Sequence, residues 1–170
     1  MISIRLLNYQ DAQIYKDLRL KALANNPESF LATFEAENNK PISVFSAELR
    51  YAVGEPIFGY YGVFAENELV GYAYLEKSYM DKQKHIAFFY NLYIDSAYRG
   101  QGLASKLFNY LLEKIKQQTQ IERIFLSCNK KNIPAFKLYQ KLGFIQYGIK
   151  EKSIKWQNQY DDEIEMVREV

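Results

Sequence analysis

The segment Arg99-Gly100-Gln101-Gly102-Leu103-Ala104 lies between an apolar run, Ile86 to Ile94, and an amphipathic stretch, Gly102 to Gln118. A glycine turn that leads a strand into a helix leaves the N–H groups of the first helical turn without internal partners, and they point, with the helix dipole, at one spot. An anion belongs at that spot, so the segment reads as a phosphate cradle. Two common glycine patterns do not fit. A dinucleotide fingerprint beginning at Gly100 needs glycine where Ser105 stands, and the Gly-Lys-Ser/Thr of a P-loop occurs nowhere in the chain. The pattern that fits is Arg/Gln-x-x-Gly-x-Gly/Ala, with Arg99, Gly102 and Ala104 on the defined positions.

Further along comes Asn132-Ile-Pro-Ala-Phe-Lys-Leu-Tyr-Gln-Lys-Leu-Gly-Phe144, which predicts a short helix with Pro134 in its first turn and Gly143 at its end. Together the two motifs resemble the GCN5-related N-acetyltransferase (GNAT) superfamily, with the match specific from about Ile86 to Phe144. The resemblance implies acetyl-CoA as cosubstrate. It implies that amides of Gly100, Gln101, Gly102, Leu103, Ala104 and Ser105, with the Arg99 backbone or guanidinium, grip the pyrophosphate. It also implies that Leu92-Tyr93-Ile94 supplies a backbone N–H to the thioester carbonyl, that Asn132 contacts the cofactor or a bound water, and that Tyr139 lies beside the sulfur.

Those roles match what acetyl transfer to an amine requires. Negative charge gathers on the carbonyl oxygen, where a fixed N–H acts without reorganisation cost. The departing thiolate takes a proton or hydrogen bond, which a tyrosine with a reference pKa near 10 can give. The attacking amine must be neutral, yet a lysine-like amine is deprotonated in roughly one molecule in two thousand at pH 7. Relatives that acetylate protein N-termini carry a glutamate where this chain has Ser127. The base is therefore left open among Glu35, Glu37, His85, Asn91 and Asp161.

These residues need a frame. Ile2 to Leu6 alternates as a strand, and Asn8 with Asp11 marks a helix start for the stripe Ile14, Leu18, Ala22, which ends near Asn25-Asn26-Pro27. A polar stretch to Lys40-Pro41, a helical pattern around Val44 to Tyr51 and a break at Gly54-Glu55-Pro56 follow. Ile57 to Ala65 and Leu69 to Tyr79 predict a hairpin about Glu66-Asn67-Glu68. Ile86 to Ile94 is apolar on both parities, the mark of a central strand. Leu103, Leu107, Leu111 and Ile115 form a helical stripe. Strands over Ile121 to Cys128, Phe144 to Ile149 and Ile164 to Val167 complete the set, with Lys150 to Tyr160 as a flexible piece.

The order is mixed α/β. By resemblance it becomes one mostly antiparallel sheet of about seven strands, flanked by about four helices. Two central parallel strands, holding Leu92 and Phe125, splay apart and open backbone edges to the pantetheine arm of the carrier.

With 170 residues the chain predicts a single domain over residues 1–170. The net charge of +2 is too small to argue for nucleic acid, and Lys137, Lys141, Lys150, Lys152 and Lys155 read as a solvated face. No apolar run is long enough to span a membrane. A single cysteine, Cys128, and no charged-then-apolar leader point to the cytoplasm, and no residue grouping has metal-ligand spacing, so no metal is expected. The acceptor is an amine of a small molecule or a peptide. Phe30 to Glu37 and Trp156 to Asp162 lie on its side by resemblance, and their acidic and aromatic content suits a cationic amine. The family also allows for a homodimer. The alternative is a CoA-binding sensor without an acceptor, for which Tyr139 would have no use.

Overall fold

The computed structural model describes residues 1–51, 57–118 and 120–170, so the break expected at Gly54-Glu55-Pro56 lies outside the described residues. The strands are β1 (Ile2–Leu6), β2 (Gly59–Ala65), β3 (Glu68–Lys77), β4 (Ile86–Ile94), β5 (Arg123–Asn129), β6 (Ile145–Trp156) and β7 (Gln159–Glu169). The helices are α1 (Ala12–Asn25), α2 (Phe34–Asn38), α3 (Ile42–Tyr51), α4 (Leu103–Gln118) and α5 (Ile133–Lys141). All seven strands form one sheet in the order β1-β2-β3-β4-β5-β7-β6. Every pairing is antiparallel except β4 with β5.

Alternation along the central strands sends side chains to two cores. On one face Val63, Val70, Ala73, Leu75, Ala87 and Phe89 meet Leu103, Leu107, Phe108, Leu111 and Ile115 of α4, with Tyr139 and Leu142 from the region of α5. The predicted α4 stripe is thus the buried one, and each fully buried leucine contributes roughly 1.5–3 kcal/mol. On the other face Phe64, Leu69, Tyr72 and Tyr93 meet Ala12, Tyr15, Leu18 and Ala22 of α1 and Phe45 and Leu49 of α3.

The start of α1 follows its capping signal. Asn8 caps a 3-10 turn over Tyr9–Asp11, and the Asp11 carboxylate accepts from the Asn8 N–H at 2.9 Å while Arg5 forks onto it with two 2.7 Å bonds. The buried stripe differs from the predicted one. Ile14 is 41% exposed, and Tyr15 and Arg19 join Leu18 and Ala22 inside.

Two further expectations are corrected. The polar stretch before Lys40 contains α2, whose Thr33 hydroxyl accepts from the Ala36 N–H at 3.2 Å. Lys150 to Tyr160 is no loose connection but the tip of the β6–β7 hairpin, paired out to Trp156 and Gln159. Gln157 and Asn158 both adopt positive φ there, 46° and 62°, as a two-residue primed turn requires.

Candidate active site

Strands β4 and β5 pair only at Ile86 with Arg123, Ala87 with Ile124 and Phe88 with Phe125. Both strands run on beyond that point, so they part and leave two facing edges. On β4 the edge carries Leu92, Tyr93 and Ile94; on β5 it carries Ser127, Cys128 and Asn129. A cleft of about 1040 Å³ opens there, lined by all six of these residues.

A bulge sits at the mouth of the splay. Tyr72 pairs with Tyr93 and Tyr74 with Tyr90, so Asn91 and Leu92 stand together opposite Ala73. The extra residue in such a bulge leaves the ladder and bends its strand. Asn91 adopts the left-handed φ of 54°, a conformation that asparagine tolerates, and its side-chain amide donates to the Tyr60 hydroxyl at 3.3 Å.

The floor of the cleft at the other end is the start of α4. Gly100 and Gly102 have φ of 77° and 73°, and a Cβ on either would meet nothing within 4 Å. Their requirement is backbone conformation, not space. Lys106 is the first helical residue to reach back, donating to the Gly102 carbonyl at 3.0 Å. Among the described hydrogen bonds, none is donated by the N–H groups of residues 100 to 105. Gly100, Gly102, Leu103, Ala104 and Ser105 line the cleft, whereas Gln101 does not. The Arg99 guanidinium turns back into the protein, donating to the Ile94 carbonyl at 2.9 Å and to Asn26 at 2.8 Å, so what it leaves toward the glycine turn is chiefly its backbone.

Helix α5 supplies the third wall. The Asn132 side-chain Oδ1 caps it, accepting from the Ala135 N–H at 3.2 Å, while Nδ2 donates to the Ser29 hydroxyl at 3.0 Å. Asn132 therefore fixes the helix start against the turn that follows α1. Tyr139, 8% exposed, lines the cleft with its ring edge-on to Phe144 at 5.9 Å. Burial first, and the neighbouring Cys128 second, hold its hydroxyl well above the ordinary phenol range. It stays protonated at neutral pH. Burial and then the nearby Glu163 carboxylate push the Cys128 thiol up to about 11, which makes it an inert neighbour rather than a nucleophile.

Of the groups weighed as base, Asn91 lines the cleft and the others do not. His85 stands before β4 beside Asp81, Lys84 and Glu122, at the far end of the strand. Glu37 is bonded to Lys40 at 2.7 Å, and Asp161 is held by Lys131 and Asn129. The carboxylates that line the cleft are Glu28 and Glu163, neither marked by a local sequence signal. Arg19 also lines the cleft, and the sequence did not mark it. Rings line the same sheet face in sequence across the strands: Tyr60, Tyr74, Tyr90, Phe88, Phe125 and Tyr147, with neighbouring centroids 4.5–6.4 Å apart. The lysines near the C-terminus are dispersed, Lys150 pairing with Glu165 at 2.8 Å and Lys155 lying over Tyr160.

The sequence profile of the acetyltransferase (GNAT) family matches residues 26–144. The chain belongs to that family. Among curated relatives, spermine/spermidine N(1)-acetyltransferase of Bacillus subtilis is 34% identical over 86 residues, 49% of this chain and 57% of that protein. The chain thus spans little more than half the length of this relative. Among solved structures, a GNAT-family acetyltransferase from Streptococcus pneumoniae superposes with a TM-score of 0.86 at 18% identity, covering 100% of this chain and 99% of that one. A Salmonella typhimurium structure holding its cofactor acetyl-CoA superposes with a TM-score of 0.77 at 14% identity, over 99% and 94% of the two chains. These likenesses place the chain's mixed sheet, with its one parallel pair, in the GNAT fold. Among the described residues no helix is long and apolar enough to cross a membrane, and no group of three or more His, Cys, Asp or Glu could hold a metal ion.

Proposed function

We propose that the chain transfers an acetyl group from acetyl-CoA to a primary amine of a small molecule or peptide, by direct attack within a ternary complex in the cytoplasm. The observation that carries this reading is the convergence, in one cleft, of the glycine turn heading α4, the bulged edge of β4 and the buried phenol of Tyr139. Acetyl-CoA when bound supplies the activated acyl group as a thioester. The uncommitted N–H groups of residues 100 to 105, at a helix N-terminus, suit its diphosphate, with Arg99 and Asn132 fixing the turns on either side. The open edges of β4 and β5 suit a carrier arm with peptide-like groups.

The chain's own residues then divide the chemistry. A backbone N–H of Leu92-Tyr93-Ile94, released by the bulge at Asn91, faces the charge that gathers on the carbonyl oxygen as the amine nitrogen bonds to carbon. Tyr139 gives its proton to the sulfur as the carbon–sulfur bond breaks. Glu163, in the cleft and close enough to raise the Cys128 thiol, accepts the proton that the amine loses. Amide and free thiol are the products; Glu163 releases its proton to solvent and Tyr139 takes one up.

The test is release of free CoA from acetyl-CoA in the presence of a panel of primary amines. Turnover with at least one amine is expected, and Tyr139→Phe should lower kcat by about 100-fold with KM little changed. Tight acetyl-CoA binding with no turnover for any amine, and no effect of the substitution, would support the sensor reading instead.

A further inference from the structure

Four charged side chains are buried among the described residues: Asp11, Arg19, Glu37 and Asp95. Three have a counter-ion in contact, Arg5 on Asp11, Lys40 on Glu37 and Lys21 on Asp95. Arg19, 6% exposed, has none: among the described residues no carboxylate comes within 4.0 Å of it. Its contacts are the Tyr72 hydroxyl, which accepts from Nη1 at a long 3.4 Å, and the Phe30 ring, 4.9 Å beneath its guanidinium carbon. Glu37 is taken by Lys40, and Glu48 acts on Arg19 only through space. A guanidinium cannot shed its proton in a protein, and its planar fork of N–H donors matches a carboxylate. An unpaired buried charge is costly unless something brings the opposite one.

Arg19 also lines the cleft. It lies on the sheet face of the β4 bulge: Tyr72, its hydrogen-bond partner, pairs in register with Tyr93, and Tyr15, one helical turn before it, packs at 4.8 Å on the Tyr60 ring that holds Asn91. We propose that Arg19 receives a carboxylate of the acceptor, so that the amine acetylated here belongs to an amino acid. This rests on the acetyl-transfer reading and names its substrate class. A polyamine, the acceptor in the name of the Bacillus subtilis relative, would bring a second cation to the buried guanidinium, where like charge repels strongly. Phe30 backs the guanidinium from beneath, with its ring 6.3 Å from that of Tyr93.

The test uses matched series: L-amino acids, their carboxamides and the corresponding decarboxylated amines, including polyamines. For the wild type, kcat/KM for the acids should exceed that for the carboxamides by at least about 10-fold, chiefly through KM. Arg19→Met should erase that preference, and Arg19→Lys, which keeps the charge but loses the fork, should restore part of it. Equal use of acid and carboxamide by the wild type, preference for polyamines, or an equal loss across all three series in Arg19→Met would overturn the proposal. Calorimetric titration of the CoA-loaded wild type with the same compounds needs neither a variant nor turnover. Binding of acids that amidation abolishes supports the carboxylate site even if no amine is acetylated, in which case only the enzyme reading fails; absence of acid binding overturns the site itself.

Discussion

Asn91 and Tyr60, 31 residues apart in sequence, meet through a 3.3 Å hydrogen bond that holds the β4 bulge against β2 across the intervening β3. The left-handed φ of Asn91 shapes the bulge and this tether steadies it. Asn91→Gly keeps the first and loses the second, so it should fold normally and lose only a few-fold in kcat. Asn91→Val opposes the backbone itself, since a β-branched residue resists positive φ, and should lower kcat/KM by more than 10-fold. Steady-state kinetics of the two variants, read beside their thermal unfolding, check the order.

Gly102 has open space where a side chain would go, so its constraint is conformational alone. Gly102→Ala should cost about 1–2 kcal/mol of local strain. Relief of that strain turns the N–H groups of the α4 start away from one another. Calorimetry should show CoA binding weakened by roughly 10-fold, and Gly102→Asn, which visits the left-handed region more readily, should bind better than the alanine variant.

Glu163 gives a kinetic prediction. A base that takes the amine's proton matters most where the free amine is scarce. Glu163→Gln should be slower by about 100-fold at pH 7 and recover steadily as pH rises and the free amine becomes abundant. A variant with an unchanged pH–rate profile would remove Glu163 from the mechanism.

Asp11 gives the acid limb of stability. The Arg5 fork first, and the Asn8 N–H among the lesser causes, hold its carboxyl below the ordinary value of 3.8, against the effect of burial. The unfolded chain therefore binds that proton more readily than the folded one. The stabilisation is complete above the ordinary value and is lost as pH falls through the folded one. Arg5 is half exposed, which limits the effect to on the order of 1 kcal/mol. Urea unfolding should show Asp11→Asn weaker than wild type by that amount at pH 7, with the gap closing as pH falls below the ordinary carboxylate value.

What the sequence made legible was local. The glycine turn and the Asn132 helix are single segments with their caps and glycines inside them, and both lie where the sequence predicted a strand-to-helix turn and a capped helix. Arg19 was hidden because a basic residue on a helix reads as solvated, and the partners that bury it, Phe30 and Tyr72, are remote in sequence. The same remoteness hid Glu163. Asn91 looked like one polar residue in an apolar run; only its register against β3 makes it a bulge. Lys150 to Trp156 lost its strand signal because β6 is an edge strand with exposed residues on both parities, so no apolar alternation survives there. Five-residue α2 is too short for a period to register.

Three residue pairs join β4 to β5, whereas seven join β5 to β7. The sheet is thus two sturdy panels with a narrow seam between them, one panel built from the chain up to Ile94 and the other from Arg123 onward. Whatever lies along the unstitched part of that seam acts as a splint across both, so the strength of the whole molecule and its grip on a ligand are a single property, and amides flanking the seam should exchange with solvent more slowly once it is filled.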